Sequence, residues 1–422
     1  MVKQSRKGAS TMVQDDRVLQ SNTAPSGSAT NLVIPADYVA SYERAKAVDP
    51  ERARNYIDHT MVADPVCDEM VARLDAVPQR DADRFIRAAI ENPDDPALRD
   101  APAAVHTFIE ELETVPGWVD YGDFAGGIRA FHRDSSACLA AMLGGVLVEG
   151  FSTSIAKSFF ITGRLRDQGV RRLRQNNRHM IEILLPGGLE TRGDGWRLSV
   201  RIRLVHAKVR QLLNDSDEWD TAAAGVPISA AQVGYALTSF SARMLQHMKS
   251  LGASYDVAER DGFMAVWRYS GYLMGIPETI LYRDYDDALE LFRVGGLCEP
   301  DPGVECVVLA NSLVNSAPVV AGITDPAARR KLARYVFMVS RAMIGDPMAD
   351  SLQYPPSHTL GVLRWFRFQR RYQQFLTKRL PRLSRESSFT AFNTLLEVSA
   401  LQELDIDYKL PDHVHSEESR WW

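Results

Sequence analysis

Between Ser199 and Leu213 the apolar residues Ile202, Val205, Val209 and Leu213 recur three or four positions apart, the repeat of one face of an α-helix. A half-buried strand would alternate with period two, and no segment of the chain sustains that alternation. Helical spacing recurs over Pro35 to Asp64, Ala82 to Ile90 and Ala103 to Leu112, divided at Pro78 and Asn92-Pro93. An all-α fold is therefore expected. With 422 residues, 45% of them hydrophobic, the chain can bury a large core. We expect one large helical domain over residues 33–410. The polar stretch 1–32, rich in Ser, Thr, Gln and Lys, reads as a disordered tail, and 411–422 as a short C-terminal tail.

His206 falls inside that apolar stripe, where an ionisable ring needs a reason. Arg203 and Arg210, three residues back and four on, project from one flank of the seam, whereas Arg197, Arg201 and Lys208 point to the other side. Burial beside cations disfavours the charged imidazole, which suits a metal ligand better than a surface cation. One neutral imidazole for iron and two guanidinium forks for propionates match the needs of a haem. The same helix also fits a core histidine bonded to a backbone carbonyl, with arginines on a wetted edge.

The loop Leu185-Pro-Gly-Gly-Leu-Glu-Thr-Arg-Gly-Asp-Gly195 separates this helix from an arginine-rich one over about 168–185, so two antiparallel helices are expected to face each other across a pocket. On the preceding helix Arg172, Asn176, His179 and Ile183 share a face with Gln175 at its edge, a mixture that suits a lined cavity as well as a solvated basic helix. His179 is a candidate second iron ligand. Glu149 ends an uncharged run, Ala137 to Val148. At a pocket edge, burial would raise its pKa for acid/base work; at a helix end before Gly150 it would be merely solvated.

Several ordered motifs resemble those of the rubber-oxygenase (latex-clearing protein) and MpaB-type oxygenase family. They are Trp118-Val-Asp-Tyr121, Thr162-Gly-Arg-Leu165, Arg171-Arg-Leu173, Pro186-Gly-Gly-Leu189, Arg201-Ile-Arg-Leu-Val-His-Ala-Lys-Val-Arg210, Leu237-Thr-Ser-Phe-Ser241 and Val266-Trp-Arg-Tyr-Ser-Gly-Tyr-Leu-Met-Gly275. The resemblance covers about residues 100–345. It implies a globin-like helical core, one b-type haem, His206 as proximal ligand, dioxygen as co-substrate and an isoprenoid or similar hydrophobic substrate cut at a C=C bond. Rubber oxygenases carry a Lys-Thr pair where spacing puts Gln175 and Asn176 here. An amide can hydrogen-bond dioxygen but is a poor iron ligand, so rubber itself is the less favoured substrate. Gln175 and Asn176, with Arg172, are expected to shape the oxygen side.

Other chemistries find little support. The formal net charge of −5 and a pI near 6.0 give no basic field for nucleic acid. Cys67, Cys138, Cys298 and Cys306 show no paired spacing, so no disulfide framework is expected. There is no GxGxxG, P-loop, GxSxG, HExxH or ExxH pattern, so nucleotide, serine-hydrolase, zinc and di-iron readings have no motif to stand on. Trp267, Phe263 and Ser270 share a helical face and are read as core. The 137–148 run falls short of the ~20 residues that span a bilayer, and Cys306 to Thr324 is diluted by Asn311, Ser312, Asn315, Ser316 and Pro318. With no signal-like segment at its start, the chain is expected to be cytoplasmic, with peripheral membrane contact left open. A non-catalytic haem protein for electron transfer or sensing, and a haem-free helical lipid-binding protein, remain as alternatives.

Overall fold

The computed structural model describes residues 32–162, 168–368 and 372, and for 168–172 the backbone alone. Of the expected tails, 1–32 and 411–422, all but Leu32 lie outside the described residues, as does the end of the expected domain from 373 onward. The described residues belong to one compact unit. Among the described residues every regular element is helical. The expected segments appear as Val39–Lys46, Pro50–His59, Gln79–Glu91 and Ala103–Glu113. Helix starts carry local signals. Asp49, Asp64 and Asp325 accept from backbone N–H groups one turn on, each followed by Pro at the first helical position.

Two long helices, Phe124–Ala141 and Val257–Leu273, pack against each other in the core. Their approach depends on missing side chains. A Cβ at Gly127 would overlap the backbone of Phe263, and one at Gly262 would lie 2.6 Å from the Asp123 carbonyl. This contact brings Trp267 and Ser270 to the centre of the molecule, buried with Phe131, Met142 and Val146.

The apolar run 137–148 is part of a much longer helical stretch than its composition suggests. Helix Phe124–Ala141 passes through a π-helical turn, Met142–Val146, into Leu147–Phe151. The combined stretch 121–151 is long and apolar enough to cross a membrane, but 78% of its apolar window is buried against other helices, as for a core helix of a soluble fold. A second π-helical turn, Ser239–Arg243, interrupts Ala230–Thr238 and Met244–Ser250, and the two turns touch. Such turns insert one extra residue and are frequent near functional sites.

Candidate functional site

Helices Gln168–Ile183 and Asp194–Asn214 run antiparallel, joined by the glycine-rich turn expected between them. The turn is compact because Gly187 adopts a left-handed φ of 76° and Gly188 packs against the Glu182 carbonyl, where no Cβ fits. Between the two helices lies a cavity of about 180 Å³. Ile202, Val205, His206 and Val209 form one wall; Gln175, Asn176 and His179 face it from the other helix. Leu147 and Gly150, beside the first π-turn, and Phe240, within the second, help close the remaining side with Trp267.

His206 is enclosed by protein and still presents a ring edge to this cavity. Burial, helped by the Arg210 guanidinium, pushes its pKa down to about 3, so the ring is neutral near pH 7. Its Nδ1 is buried with no hydrogen-bond partner. A narrow cleft of about 10 Å³, wide enough for one water, lies behind it against Asp64, Arg210 and Gly275. A neutral imidazole, without a partner at Nδ1 and set in an apolar wall, would be able to hold the iron of a haem. The residues present fit that group.

His179 lines the same cavity, and burial likewise lowers its pKa to about 3. Its Nε2, however, lies 2.9 Å from Ser199 Oγ and 3.2 Å from Ser270 Oγ, and Ser199 donates to the Gly195 carbonyl at 2.8 Å. Three helices meet in this small polar knot. Nε2 is thereby committed, which weighs against His179 as an iron ligand through that nitrogen.

Arg203 and Arg210 do not line the main cavity. Arg203 is buried and grips Asp64 through two nitrogens, Nε at 2.5 Å and Nη2 at 2.8 Å, with Glu111 2.7 Å from the same Nη2. Arg210 pairs with Asp68 at 2.7 Å and donates to the Ile228 carbonyl at 3.1 Å. The expectation that both arginines meet haem propionates competes with these partners. Carboxylates of the protein itself already occupy the guanidinium forks, and the pairs clamp the His206 helix to helices Pro65–Asp75 and Ala103–Glu113.

Glu149 also departs from expectation. Its neighbours Leu147 and Gly150 reach the cavity, but its own carboxylate turns into a buried ion cluster with Arg243 and with His247 Nε2 at 3.1 Å. Burial pushes its pKa up, yet His247 and Arg243 outweigh that and hold it below the ordinary carboxylate range. The raised pKa expected for acid/base work is replaced by a firmly ionised group. Room for the His247 ring comes from Gly145, where a Cβ would sit 2.5 Å from Cδ2.

Gln175 and Asn176 stand on the cavity wall as expected, each with interactions of its own. The side chain of Arg172 lies outside the described residues. Trp267 and Ser270 are buried in the core as read from sequence, and they also reach the site: Trp267 lines the cavity, and Ser270 holds His179. Their spacing is that of any buried helical face, and only the facing histidine would have distinguished them.

A rubber oxygenase of Streptomyces sp. (strain K30) is 23% identical over 195 residues, covering 44% of this chain and 46% of that relative, so the chain aligns with less than half of the relative's length. The solved structure of latex clearing protein in its closed state superposes with a TM-score of 0.61 at 19% identity, covering 84% of this chain and 95% of that one, and shares the helical fold. Residues 129–374, which include both cavity helices and both π-turns, match the family described as ER-bound oxygenase mpaB/B′ and rubber oxygenase, catalytic domain, and the chain belongs to that family.

Proposed function

We propose that the chain is a haem b-dependent oxygenase that uses dioxygen to cleave a C=C bond in an isoprenoid or similar unsaturated hydrocarbon chain. The observation that carries this reading is the neutral, Nδ1-unpartnered imidazole of His206 in the wall of an apolar cavity. Haem bound at His206 would supply the iron at which dioxygen is activated. The chain's own residues do the rest. Ile202, Val205, Val209, Phe240 and Trp267 exclude water and hold hydrocarbon by contact area alone. Gln175 and Asn176 offer amide groups on the facing wall, where hydrogen bonds to a polar oxygen can be made without adding charge. Arg172 belongs to the same helix and completes that side in this reading. The pairs Arg203–Asp64 and Arg210–Asp68 fix the helix, and so the ring, in place. Glu149 acts at one remove, by tying helix Leu147–Phe151 to the π-turn that carries Phe240.

The balance is simple: both atoms of one dioxygen molecule enter the two carbonyl groups left by the broken double bond. The test incubates the haem-reconstituted protein with polyisoprene, squalene and prenyl-quinones under labelled oxygen and reads products by mass spectrometry. Aldehyde and ketone fragments carrying label are expected. No label in any product, from protein shown by its spectrum to hold five-coordinate haem, would turn the assignment to electron transfer or sensing. A protein that purifies colourless from haem-supplemented cells and still binds lipid would be a carrier instead.

A further inference from the structure

Glycines in the core helices make room for neighbours. A Cβ at Gly126, Gly127, Gly195 or Gly262 would strike the backbone of a facing helix, and one at Gly145 or Gly271 would strike the side chain of His247 or Leu237. Gly150 is different. It is buried one residue before the end of helix Leu147–Phe151, yet a Cβ there would meet no atom within 4 Å. Its φ is outside the left-handed range that favours glycine. The bond that its carbonyl accepts from Thr153 Oγ1, at 2.9 Å, is one that any residue offers. Alanine would be the more stable choice, since glycine loses more chain entropy in a helix. Neither backbone conformation nor packing accounts for glycine at this position; the space in front of it does.

That space is the cavity, because Gly150 is part of its wall. The lining residues nearest to it along the chain, Leu147, Phe151, Ile155 and Phe159, are all large and apolar, so the missing side chain leaves a recess in an otherwise bulky stretch of wall. Among the described residues no Lys, Arg, Asp or Glu lines the cavity. Contact with an apolar group is therefore the force available to fill the recess. A straight polymethylene chain would pass it by, whereas a chain that carries side branches places a group in it.

We propose that Gly150 is a specificity-determining residue: the recess at its missing side chain admits the widest part of the ligand, and a side chain there excludes branched chains while leaving straight ones. The inference rests on the reading of the cavity as a hydrocarbon site. The purified full-length protein is equilibrated with radiolabelled squalane and, separately, with tetracosane, which has the same backbone without the methyl branches. Neither has a double bond, so binding is read free of turnover. The native protein is expected to bind squalane about tenfold more tightly than tetracosane. Gly150→Leu, whose side chain fills the recess, should bind squalane about tenfold more weakly and tetracosane within about threefold of the native protein. Gly150→Ala should melt no lower than the native protein, because its methyl group meets no atom. A lower melting temperature in Gly150→Ala would show the recess to be closed and overturn the proposal, even if Gly150→Leu misfolds. Equal binding of the two hydrocarbons by the native protein, or an undiminished preference in Gly150→Leu, would overturn it and leave the hydrocarbon reading of the cavity intact. Binding of neither hydrocarbon would overturn both. Loss of haem from Gly150→Leu, read as the pyridine haemochrome, would assign the recess to the cofactor and overturn the proposal as well.

Discussion

His179 Nε2 lies 2.9 Å from the hydroxyl of Ser199, which stands two turns before His206 on the facing helix; the residue that shares a helix with the candidate iron ligand also occupies the second imidazole of the cavity. The two histidines therefore differ in availability although both are neutral near pH 7. His206→Ala should purify without stoichiometric haem and with an unchanged helical spectrum, whereas His179→Ala should retain haem. A pyridine haemochrome measurement per mole of protein distinguishes them. Equal loss in the two variants would mean that both rings serve as ligands.

Arg203→Ala removes one side of a buried pair and leaves Asp64 charged and enclosed. Loss of one partner of a buried ion pair costs about 3–5 kcal/mol, far more than a propionate contact would show. We expect urea unfolding of the apoprotein to register a destabilisation of that order. A variant of native stability that only holds haem less tightly would restore the propionate role to Arg203.

Both buried histidines should make the apoprotein acid-sensitive over a defined window. Their folded pKa values of about 3 lie below the ordinary value of 6.5, so between those limits the unfolded chain binds more protons than the folded one. Stability contributed by the neutral rings is fully present above about pH 6.5 and declines as pH falls toward 3, at up to about 1.4 kcal/mol per pH unit for each ring. Urea midpoints measured across that range should fall with acid, less steeply in His206→Gln. An identical slope in that variant would show the ring to be protonated in the fold.

Gly145→Ala tests the ion cluster from its steric side. The new methyl would meet the His247 ring and displace it from Glu149. Overpacking of this kind costs about 1–3 kcal/mol. A lowered melting temperature is expected, and a variant as stable as the parent would mean that the cluster tolerates movement.

The helical class and the pairing of the two cavity helices could be read from apolar spacing and from the Leu185–Gly195 loop, because both are local properties of the chain. Ile202, Val205, His206 and Val209 were likewise legible as one face. What spacing could not supply was the partner of each charge. Asp64 and Glu111 precede Arg203 by 139 and 92 positions, and Arg243 follows Glu149 by 94. A guanidinium fork suits a propionate and an aspartate equally well, so only the fold decides which it meets. For Glu149 the sequence left burial and solvation open and could not show Arg243 and His247, which outweigh the effect of burial.

The π-helical turn at Met142–Val146 makes the chain sensitive to length as well as to composition. Removing one residue from it would restore ordinary winding and rotate everything that follows by about 100°. Leu147 and Gly150 would leave the cavity wall, and the carboxylate of Glu149 would part from Arg243 and His247. A single-codon deletion here thus amounts to a coordinated change of several side chains, and a relative shorter by one residue at this point would present a different wall to the same space.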